Sequence, residues 1–353
     1  MFNLFYFFIG SLYIIFGTFD YFIYIDRNIS LFNYIWIVNT VIFPFFSIFF
    51  YLFILLYQYF KKEIKDYNIH CNYKPILLIA FAESIESIVF SYTMPFISIF
   101  LLQIIDKITL IINFAISYKL LNSRYHWNHY VGMIIRCIGV LIGAIPIINN
   151  QQEKNYLAIS FFIIISIIKT LVNIYRENYI KSNKLLNLTF FNFLLMIFTF
   201  LTGLITIPFI FIPLQKYSIK TNEFPQYVSN TFKCLYKNEN TQEKDNCNYS
   251  LILLLINIKT SNTVNQILAH ILKNGSNILN TVILSLKSPL IIISGYFIQK
   301  YNLIKFNSKY EIDWSVIVSL ILLFIGSIIY GYKAEYKLSK NPALDEKLLS
   351  LSS

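Results

Sequence analysis

WNHYVGMIIRCIGVLIG, residues 127–143, and WSVIVSLILLFIGSIIYG, residues 314–331, are two apolar stretches with the same layout. Each begins with a tryptophan, and each places the glycine of an Ile-Gly pair twelve residues later, at Gly139 and at Gly326. Chance similarity between isoleucine-rich stretches is one explanation. The other is an internal repeat, and the organisation of the rest of the chain bears on that choice.

The composition indicates an integral membrane protein. Hydrophobic residues make up 56% of the 353 residues, and charged residues make up only 13%. A soluble domain carries about 25% charged residues. Such a chain cannot bury its apolar surface in one aqueous core, so we expect it to lie in the lipid bilayer. The net charge of +11 does not indicate nucleic-acid binding, because the basic residues cluster in short loops, where membrane topology explains them.

Ten segments are long and apolar enough to cross a bilayer, which takes about 20 residues of helix. We therefore predict an all-α membrane protein. The first span lacks a small-residue cleavage site, so we expect it to be retained. The predicted spans lie near residues 4–24, 34–60, 75–95, 97–120, 128–149, 155–175, 187–213, 250–271, 277–299 and 313–333.

The repeat divides these spans into five and five. The fifth span resembles the tenth through the two tryptophan-led stretches, and the fourth resembles the ninth through TLIINFAI and LIIISGYF. We predict a first five-helix repeat at 1–150 and a second at 151–335, with a loop at 214–249 and a cytosolic tail at 336–353. Five helices per repeat give the two repeats opposite orientations in the membrane. Inverted repeats of this kind are characteristic of secondary transporters, whose substrate site lies near the midplane.

The distribution of Lys and Arg predicts that both termini are cytosolic. Fourteen of these residues, including Arg176, fall in segments on the same side of the membrane as the N-terminus. Five, including Arg27, fall in the short segments on the opposite side. The loop at 214–249 then faces the lumen or the exterior. It contains Cys234 and Cys247, and a disulfide between them can persist on that side. Zinc is the weaker alternative, because no His or further Cys lies nearby.

Several local motifs occur in the order and spacing of a known family. They are LLQ at 101–103, RYHWNHYVG at 124–132, KSPLIIISGYF at 287–297 and IGSIIYGY at 325–332. With ten spans and a cysteine-bearing lumenal loop between the seventh and the eighth, the chain resembles the chloroquine-resistance transporter family. That family belongs to the drug/metabolite transporter superfamily, and the resemblance covers nearly all of residues 4–335.

The resemblance implies a secondary active transporter in a vacuolar or lysosome-like membrane of an apicomplexan parasite. It implies proton-coupled export of amino acids, small peptides or cationic drug-like compounds from an acidic lumen to the cytosol. Glu83 matches an acidic position in the third span of the family, and Asp20 lies close to the family's substrate-selective position. Asp106 and Lys107 stand where the fourth span of the family usually has proline.

Ionisable residues inside the predicted spans are the candidate binding residues. Each costs about 2.5–3.5 kcal/mol at a helix centre, so each should face an internal cavity or a partner of opposite charge. For Lys169 and Arg136, snorkelling towards a helix end is an alternative. The predicted substrate-binding and proton-binding residues are Asp20, Glu83, Glu86, Asp106, Lys107, Lys259 and Lys287, together with Ser288 and Pro289.

Glu83 and Glu86 are the candidates for carrying a proton. They are three residues apart, so they share one face of a helix. Two carboxylates close together at low dielectric repel each other, which favours the binding of a proton. The structural alternative is that either carboxylate pairs with Lys107 or Lys259 and holds two helices together.

Asp20, in FGTFDYF, is the candidate for attracting a cationic substrate. The alternative is a carboxylate near the lumenal interface that water reaches. In the ninth span, Pro289 follows Lys287 and Ser288, and a proline kink is tolerated where a helix lines a cavity. We expect this segment to line the cavity as well.

Asp106 and Lys107 interrupt the apolar run LLQIIDKITLIINF at 101–114. Adjacent residues on a helix point about 100° apart, so these two side chains are poor partners for each other. We expect each to find its partner on another span. Candidate partners are the glutamates of the third span for Lys107, and Lys287 or Lys259 for Asp106.

Other functional classes are less well supported by the sequence. No phosphate-binding loop is present, which argues against an ATP-driven pump. An enzyme would need a nucleophile with a base, or a metal constellation, at membrane depth. His126 and His129 lie in a loop without acidic companions, so we predict no metal and no cofactor. The spans contain five basic residues and four acidic residues, so an anionic substrate is also conceivable from the sequence. The alternative transporter is therefore an exchanger of nucleotide sugars or phosphorylated metabolites. We expect a monomer.

Overall fold

The chain folds almost entirely into helices in a computed structural model. The structure describes residues 4–61, 72–93, 112, 114–116, 123–124, 126–149, 156–183, 186–211, 219–240, 246–274, 287, 290–291, 293–295, 297–298, 314–331 and 336–337. The helices are α1 (Leu4–Ser30), α2 (Ile35–Phe60), α3 (Tyr73–Thr93), α4 (Trp127–Asn149), α5 (Tyr156–Ser182), α6 (Leu188–Ile205), α7 (Phe224–Phe232), α8 (Ser250–Asn274) and α9 (Trp314–Gly331).

Eight of the predicted spans coincide with long helices of the structure, although several helices run further than the apolar stretch. The predicted spans at 97–120 and 277–299 lie mostly outside the described residues. By length and composition alone, α2, the part of α5 from residue 159 and α6 could cross a membrane. In α8, the polar stretch TSNTVNQ lowers the hydropathy. The structure therefore shows an apolar helical protein, and the described residues do not establish the number of ten spans.

Apolar side chains cover the outside of the helices. Phe53 is 73% exposed, Leu141 69% and Ile205 72%, whereas Asn192, Asn257 and Asn262 are fully buried. This is the reverse of a water-soluble protein, in which charged and amide side chains are mostly exposed. The outer surface therefore suits contact with lipid tails, as expected of an integral membrane protein.

The helices pack in pairs that are far apart in sequence. Helix α1 packs along α8, α2 along α6, α3 along both α5 and α6, and α4 along α9. Helix α8 also contacts α2, α5 and α6. Side chains that face the α1–α8 and α3–α5 interfaces are thereby turned away from the outer surface, and three candidate residues, Asp20, Glu83 and Glu86, lie on these two interfaces.

Glycines allow α4 and α9 to approach closely in antiparallel fashion. A Cβ atom added at Gly132 would lie 2.7 Å from the Gly326 carbonyl oxygen, and one added at Gly326 would lie 2.8 Å from the Gly132 carbonyl oxygen. At the next contact, a Cβ atom at Gly139 would lie 3.2 Å from the Ser319 carbonyl oxygen. Small residues at such crossings let backbones meet in membrane proteins. No larger side chain fits at the Gly132–Gly326 contact.

Helix α2 contains a π turn at Val38–Ile42, just before Pro44. Proline has no backbone N–H, so in a regular helix the carbonyl of Thr40 would have no donor four residues later. The Thr40 carbonyl instead faces Gly203 of α6, where it would collide with any Cβ atom. The sequence thus permits a close α2–α6 contact and turns Asn39 into the interior, where it is 9% exposed.

The predicted disulfide between Cys234 and Cys247 is present. Both cysteines are fully buried, in a cluster that includes Leu31 and Tyr34 from the α1–α2 corner. The Asn246 N–H donates to the Ser30 carbonyl at 3.1 Å. The loop between α6 and α8 therefore packs as a cap on the end of α1.

Among the described residues, β structure is limited to two short antiparallel strands, β1 (Ser123–Arg124) and β2 (Tyr336–Lys337). They pair Ser123 with Lys337 and Arg124 with Tyr336. This small pairing departs from an all-α fold. It joins the segment before α4 to the start of the predicted tail.

Candidate functional site

Asp20 lies at the interface between α1 and α8, where three neutral side chains surround its carboxylate. The Asn257 amide donates to Asp20 Oδ1 at 2.9 Å, and the Thr260 hydroxyl donates to the same oxygen at 2.5 Å. The Ser261 hydroxyl lies 2.8 Å from Oδ1 and 2.9 Å from Oδ2. These donors occupy positions i, i+3 and i+4 of α8, which form one helix face. The carboxylate is therefore held by the opposing helix rather than pointing to open water.

Asn257 also connects Asp20 to a buried arginine. Arg27 is 1% exposed, and its Nη1 donates to Asn257 Oδ1 at 2.6 Å. Its Nη2 donates to Asn28 Oδ1 at 3.1 Å and to Asn39 Oδ1. One amide thus accepts from a cation and donates to an anion. The Arg27–Asn257–Asp20 chain is an ion pair with a neutral side chain between its two charges.

Lys287 lies on the same side of α1 as Asp20. Its Nζ is 5.6 Å from the centre of the Tyr21 ring, and it would lie 3.3 Å from a Cβ atom added at Gly17. Gly17 precedes Asp20 by three residues, so the ammonium and the carboxylate are near neighbours that interact electrostatically. The predicted residues Asp20 and Lys287 are therefore brought together.

Glu83 lies at the α3–α5 interface and faces Arg176. The Arg176 Nη1 lies 3.2 Å from Glu83 Oε1, and its Nη2 donates to Asn192 Oδ1 of α6 at 3.1 Å. The Arg176 side chain is 3% exposed and that of Glu83 is 25% exposed. A buried guanidinium that is hydrogen-bonded on two sides is costly to leave without its carboxylate partner. The pair therefore links three helices.

Glu86 forms a second ion pair with α5, at 2.7 Å between its Oε1 and Lys169 Nζ. The basic partners differ in burial, since the Lys169 side chain is 44% exposed and that of Arg176 only 3%, whereas Glu86, at 26%, is about as exposed as Glu83. The two glutamates thus share a helix face, as the sequence predicts, but sit in different environments.

The structure corrects where several basic residues lie. Arg27 and Arg176, which the hydropathy pattern assigns to loops, are buried within helices, Arg27 in the last turn of α1 and Arg176 six residues before the end of α5. Arg136 does not snorkel to a helix end. It is 2% exposed between α4 and α9, with Nη2 2.6 Å from Ser327 Oγ. Lys169 pairs with Glu86 instead of reaching an interface.

Of the other predicted residues, the structure describes one, and it lies away from these groups. Asp106, Lys107, Ser288 and Pro289 lie outside the described residues. Lys259 is on the exposed side of α8. Because it is two residues from Asn257, its side chain points to the opposite side of the helix from Asp20.

His126 and His129, which the sequence places in a loop, contact each other, but His129 lies in the first turn of α4 and is fully buried. The His126 backbone N–H donates to His129 Nδ1 at 3.0 Å, and the His129 ring lies 4.7 Å from the Tyr330 ring. In the described part of the chain, no three His, Cys, Asp or Glu residues cluster in a way that could hold a metal ion.

The sequence analysis missed Asn257, Thr260 and Ser261, the immediate partners of Asp20. A signal was available, because these polar residues interrupt an apolar helix at positions i, i+3 and i+4. It also missed Asn39 and Asn192 as partners of arginines. Neutral amides of this kind lower hydropathy only slightly, so an inventory of charges does not find them.

Comparison with known proteins identifies the family. The family model described as CRT-like, chloroquine-resistance transporter-like, matches residues 7–330. Curated relatives in Plasmodium berghei and Plasmodium yoelii yoelii carry chloroquine resistance transporter in their names. They are 26% identical over 248 residues and 24% identical over 247, respectively. The chloroquine resistance transporter of Plasmodium falciparum isolate 7G8 is 24% identical over 240 residues.

These alignments cover 64–65% of the chain and 54–55% of each relative, so the chain spans about half the length of the curated relatives that it matches. The family model, in contrast, extends over all of the helices from α1 to α9 with only their outermost residues excepted. The chain belongs to the chloroquine-resistance transporter-like family.

Proposed function

We propose that the protein is a secondary active transporter with its substrate site at the α1–α8 interface. The observation that carries the proposal is the proximity of the Asp20 carboxylate and the Lys287 ammonium beside a row of neutral hydrogen-bonding groups. Charged residues inside a membrane protein are costly and mark substrate or ion pathways. The names of the Plasmodium relatives support the same class of activity.

The transporter is built, in this proposal, from two inverted five-helix halves at 1–150 and 151–335. The inversion exchanges α1 with α5, α2 with α6, α3 with α8 and α4 with α9. Under this exchange the α1–α8 packing becomes α5–α3, and α2–α8 becomes α6–α3, both of which occur. The α2–α6 and α4–α9 pairs map onto themselves. The pattern of helix contacts supports the inverted repeat.

The α4–α9 crossing supports it independently. Counted from Trp127 and Trp314, Gly132 and Ser319 hold one position of the repeat, and Gly139 and Gly326 hold another. Gly132 meets Gly326, while Gly139 meets Ser319. Each contact is therefore the other with the two halves exchanged. A two-fold axis perpendicular to both helices produces this reciprocity, and inverted-topology repeats have such an axis in the membrane plane.

Amino acids and small peptides are the substrates that fit the site best. A zwitterion presents an ammonium group, which Asp20 can bind, and a carboxylate, which Lys287 can bind. Cationic drug-like compounds would use Asp20 alone. We propose that Glu83 or Glu86 carries the coupling proton, that transport runs from an acidic vacuole-like lumen to the cytosol, and that both termini are cytosolic.

An exchanger of nucleotide sugars or phosphorylated metabolites is the second candidate, and one observation favours it. All the acceptors described around Arg27 are neutral amides. Lys287 adds a second cation on the same side of the protein, so a negatively charged substrate could be attracted to this region.

Uptake into proteoliposomes tests the proposal. Purified full-length chain is reconstituted, a pH gradient is imposed, and uptake of labelled lysine, leucine, a dipeptide and a nucleotide sugar is measured separately. We expect gradient-dependent uptake of the amino acids or the dipeptide. Uptake of the nucleotide sugar alone would establish the second candidate, and amino-acid uptake that survives collapse of the gradient would refute proton coupling.

Asp20→Asn, which keeps the shape and removes the charge, is expected to lower uptake roughly tenfold or more, because hydrogen bonds to charged groups contribute about 1.5–3 kcal/mol. Asp26→Asn is the matched control, because Asp26 is a partly buried aspartate on the same helix. Equal losses in the two variants would show that Asp20 does not bind the substrate.

A further inference from the structure

Arg27 and Arg176 occupy corresponding places in the two halves. Arg27 lies in the last turn of α1, the first helix of the first half, and Arg176 lies near the end of α5, the first helix of the second half. Both are almost fully buried, at 1% and 3% exposure. Buried arginines are rare unless they are paired, so two in matching positions call for a common explanation.

Each arginine is bound first within its own half. Arg27 donates to Asn39, the fifth residue of α2, and Arg176 donates to Asn192, the fifth residue of α6. Aromatic rings flank both guanidinium groups. Arg27 Cζ is 4.8 Å from the centre of the Tyr24 ring, and Arg176 Cζ is 5.3 Å from that of Phe191.

Each arginine also reaches across to the other half. Arg27 donates to Asn257 of α8, and Arg176 donates to Glu83 of α3. Helices α8 and α3 are exchanged by the inversion, as are α2 and α6. The two arginines therefore contact equivalent helices, once from each half.

The two arginines lie towards opposite ends of the helix bundle. Arg27 is beside the disulfide cap, where the Ser30 carbonyl accepts from the Asn246 N–H. Arg176 lies towards the other end, because its partner Asn192 is the fifth residue of α6. Just before α6, the Leu186 carbonyl accepts from Lys273, next to the last residue of α8, whereas Asn257, which accepts from Arg27, is the eighth residue of α8.

We propose that Arg27 and Arg176 form the two contacts between the halves whose release opens the transporter at one end or the other, and we call them the latches. The inference rests on the proposed alternating-access function. Release of Arg27 from Asn257 separates the halves at the cap end and opens the Asp20 site to that side. Release of Arg176 from Glu83 separates them at the opposite end. Both latches are closed in this structure.

The two latches differ in chemistry, and the difference couples one of them to the site. Arg176 is held by a carboxylate, so its bond joins two opposite charges, whereas the bond from Arg27 to Asn257 carries a charge on the arginine alone. Arg27 is held across the halves by Asn257, whose amide also binds Asp20. An ammonium group at Asp20 competes for that carboxylate, so substrate binding perturbs the residue that holds the cap-end latch.

Sided labelling of one cysteine tests the proposal without any substrate. Cys71 and Cys137 are replaced by serine, the disulfide is kept, and Ser261→Cys beside Asp20 serves as the reporter. A membrane-impermeant thiol reagent is applied to either side of sealed vesicles of known orientation. The measured quantity is the ratio of the labelling rate from the cap side to the rate from the opposite side.

Arg27→Gln is expected to raise this ratio about tenfold, and Arg176→Gln to lower it by a similar factor, the change that about 1.4 kcal/mol of bias produces. Changes in the same direction, or no change in either folded variant, would overturn the proposal. If an arginine variant does not fold, Asn39→Ala and Asn192→Ala are tested instead. Asn39→Ala should then raise the labelling ratio and Asn192→Ala should lower it, each by less than the arginine variant.

The result is separable from the transport proposal. Opposite shifts in labelling with no uptake of any tested substrate would refute the proposed transport activity and leave the latches standing. Uptake with unshifted labelling would refute the latches and leave transport standing.

Discussion

Replacing Asn257 by leucine is expected to destabilise the protein by about 3 kcal/mol. Asn257 is fully buried and bridges two charged groups, with 2.6 Å to Arg27 Nη1 and 2.9 Å to Asp20 Oδ1. Hydrogen bonds within membrane proteins average about 0.6 kcal/mol and reach about 1.7. Bonds to buried charges belong near the upper value, because their loss leaves a charged group short of a partner.

Asn262→Leu is the matched control for this change. Asn262 is on the same helix, is also fully buried and donates through Nδ2 to the neutral Ser47 hydroxyl at 3.0 Å. The Tyr51 hydroxyl donates to the Asn262 backbone carbonyl, which the substitution keeps. One neutral bond is worth about 0.6 kcal/mol, so the control should lose roughly a fifth as much stability.

Thermal unfolding of the purified protein in one detergent measures both effects. At roughly 2–4 °C per kcal/mol for a large domain, we expect Asn257→Leu to lower Tm by about 6–12 °C and Asn262→Leu by about 1–2 °C. In an Asp20→Asn background, Asn257→Leu should cost about 1 kcal/mol less, because one of its charged partners is gone. Equal Tm losses in the two leucine variants, or additivity with Asp20→Asn within about 0.5 kcal/mol, would refute the bridging role.

Two further predictions concern packing and the cap. Gly132→Ala should lower Tm by several degrees, because its Cβ atom would lie 2.7 Å from the facing backbone and overpacking costs about 1–3 kcal/mol. In the control variant Gly17→Ala, the added Cβ atom meets only the flexible Lys287 side chain, so Tm should be nearly unchanged. A larger loss of Tm in Gly17→Ala than in Gly132→Ala would contradict the close crossing of α4 and α9. Cys234→Ser should destabilise the protein by about 3 kcal/mol. In the native protein, a membrane-impermeant reductant should leave the buried disulfide with Cys247 intact, whereas rapid reduction would place the bond at the surface.

Helix positions were predictable because apolar runs mark them directly, but the ends of two helices were not. The first and sixth spans were predicted to stop at residues 24 and 175, where Asp26-Arg27 and Arg176-Glu177 begin. The helices continue to Ser30 and Ser182. Hydropathy treats a charge as the end of a span, whereas here each arginine finds acceptors inside the protein.

The site was predictable in its charges and not in its contacts. Asp20 and Lys287 are rare residues for a membrane span, so the sequence identifies them. Glu83 and Glu86 pair with Arg176 and Lys169 of α5, and of their two predicted partners Lys259 is on the exposed side of α8 while Lys107 lies outside the described residues. Which helices become neighbours depends on the packing of the whole chain, and one sequence does not contain that information in local form.

The neutral partners were hidden for a related reason. Arg27 and Asn257 are 230 residues apart, and an asparagine in a helix has no preferred charge partner. The π turn before Pro44 directs Asn39 inward, yet the sequence there shows only a proline in an apolar run. Partners of this kind can be identified only from the folded structure, in which distant parts of the chain come together.

If the loop faces an oxidising lumen, as the distribution of Lys and Arg predicts, formation of the Cys234–Cys247 bond depends on the orientation in which the chain inserts into the membrane. The bond persists only where the compartment is oxidising, and the cap that contains it packs on Leu31 and Tyr34 at the α1–α2 corner. A copy inserted upside down would hold two thiols in the reducing cytosol, and its loop would lack the crosslink that stabilises the cap. The disulfide would then record, in each surviving molecule, that the chain entered its membrane in the correct orientation.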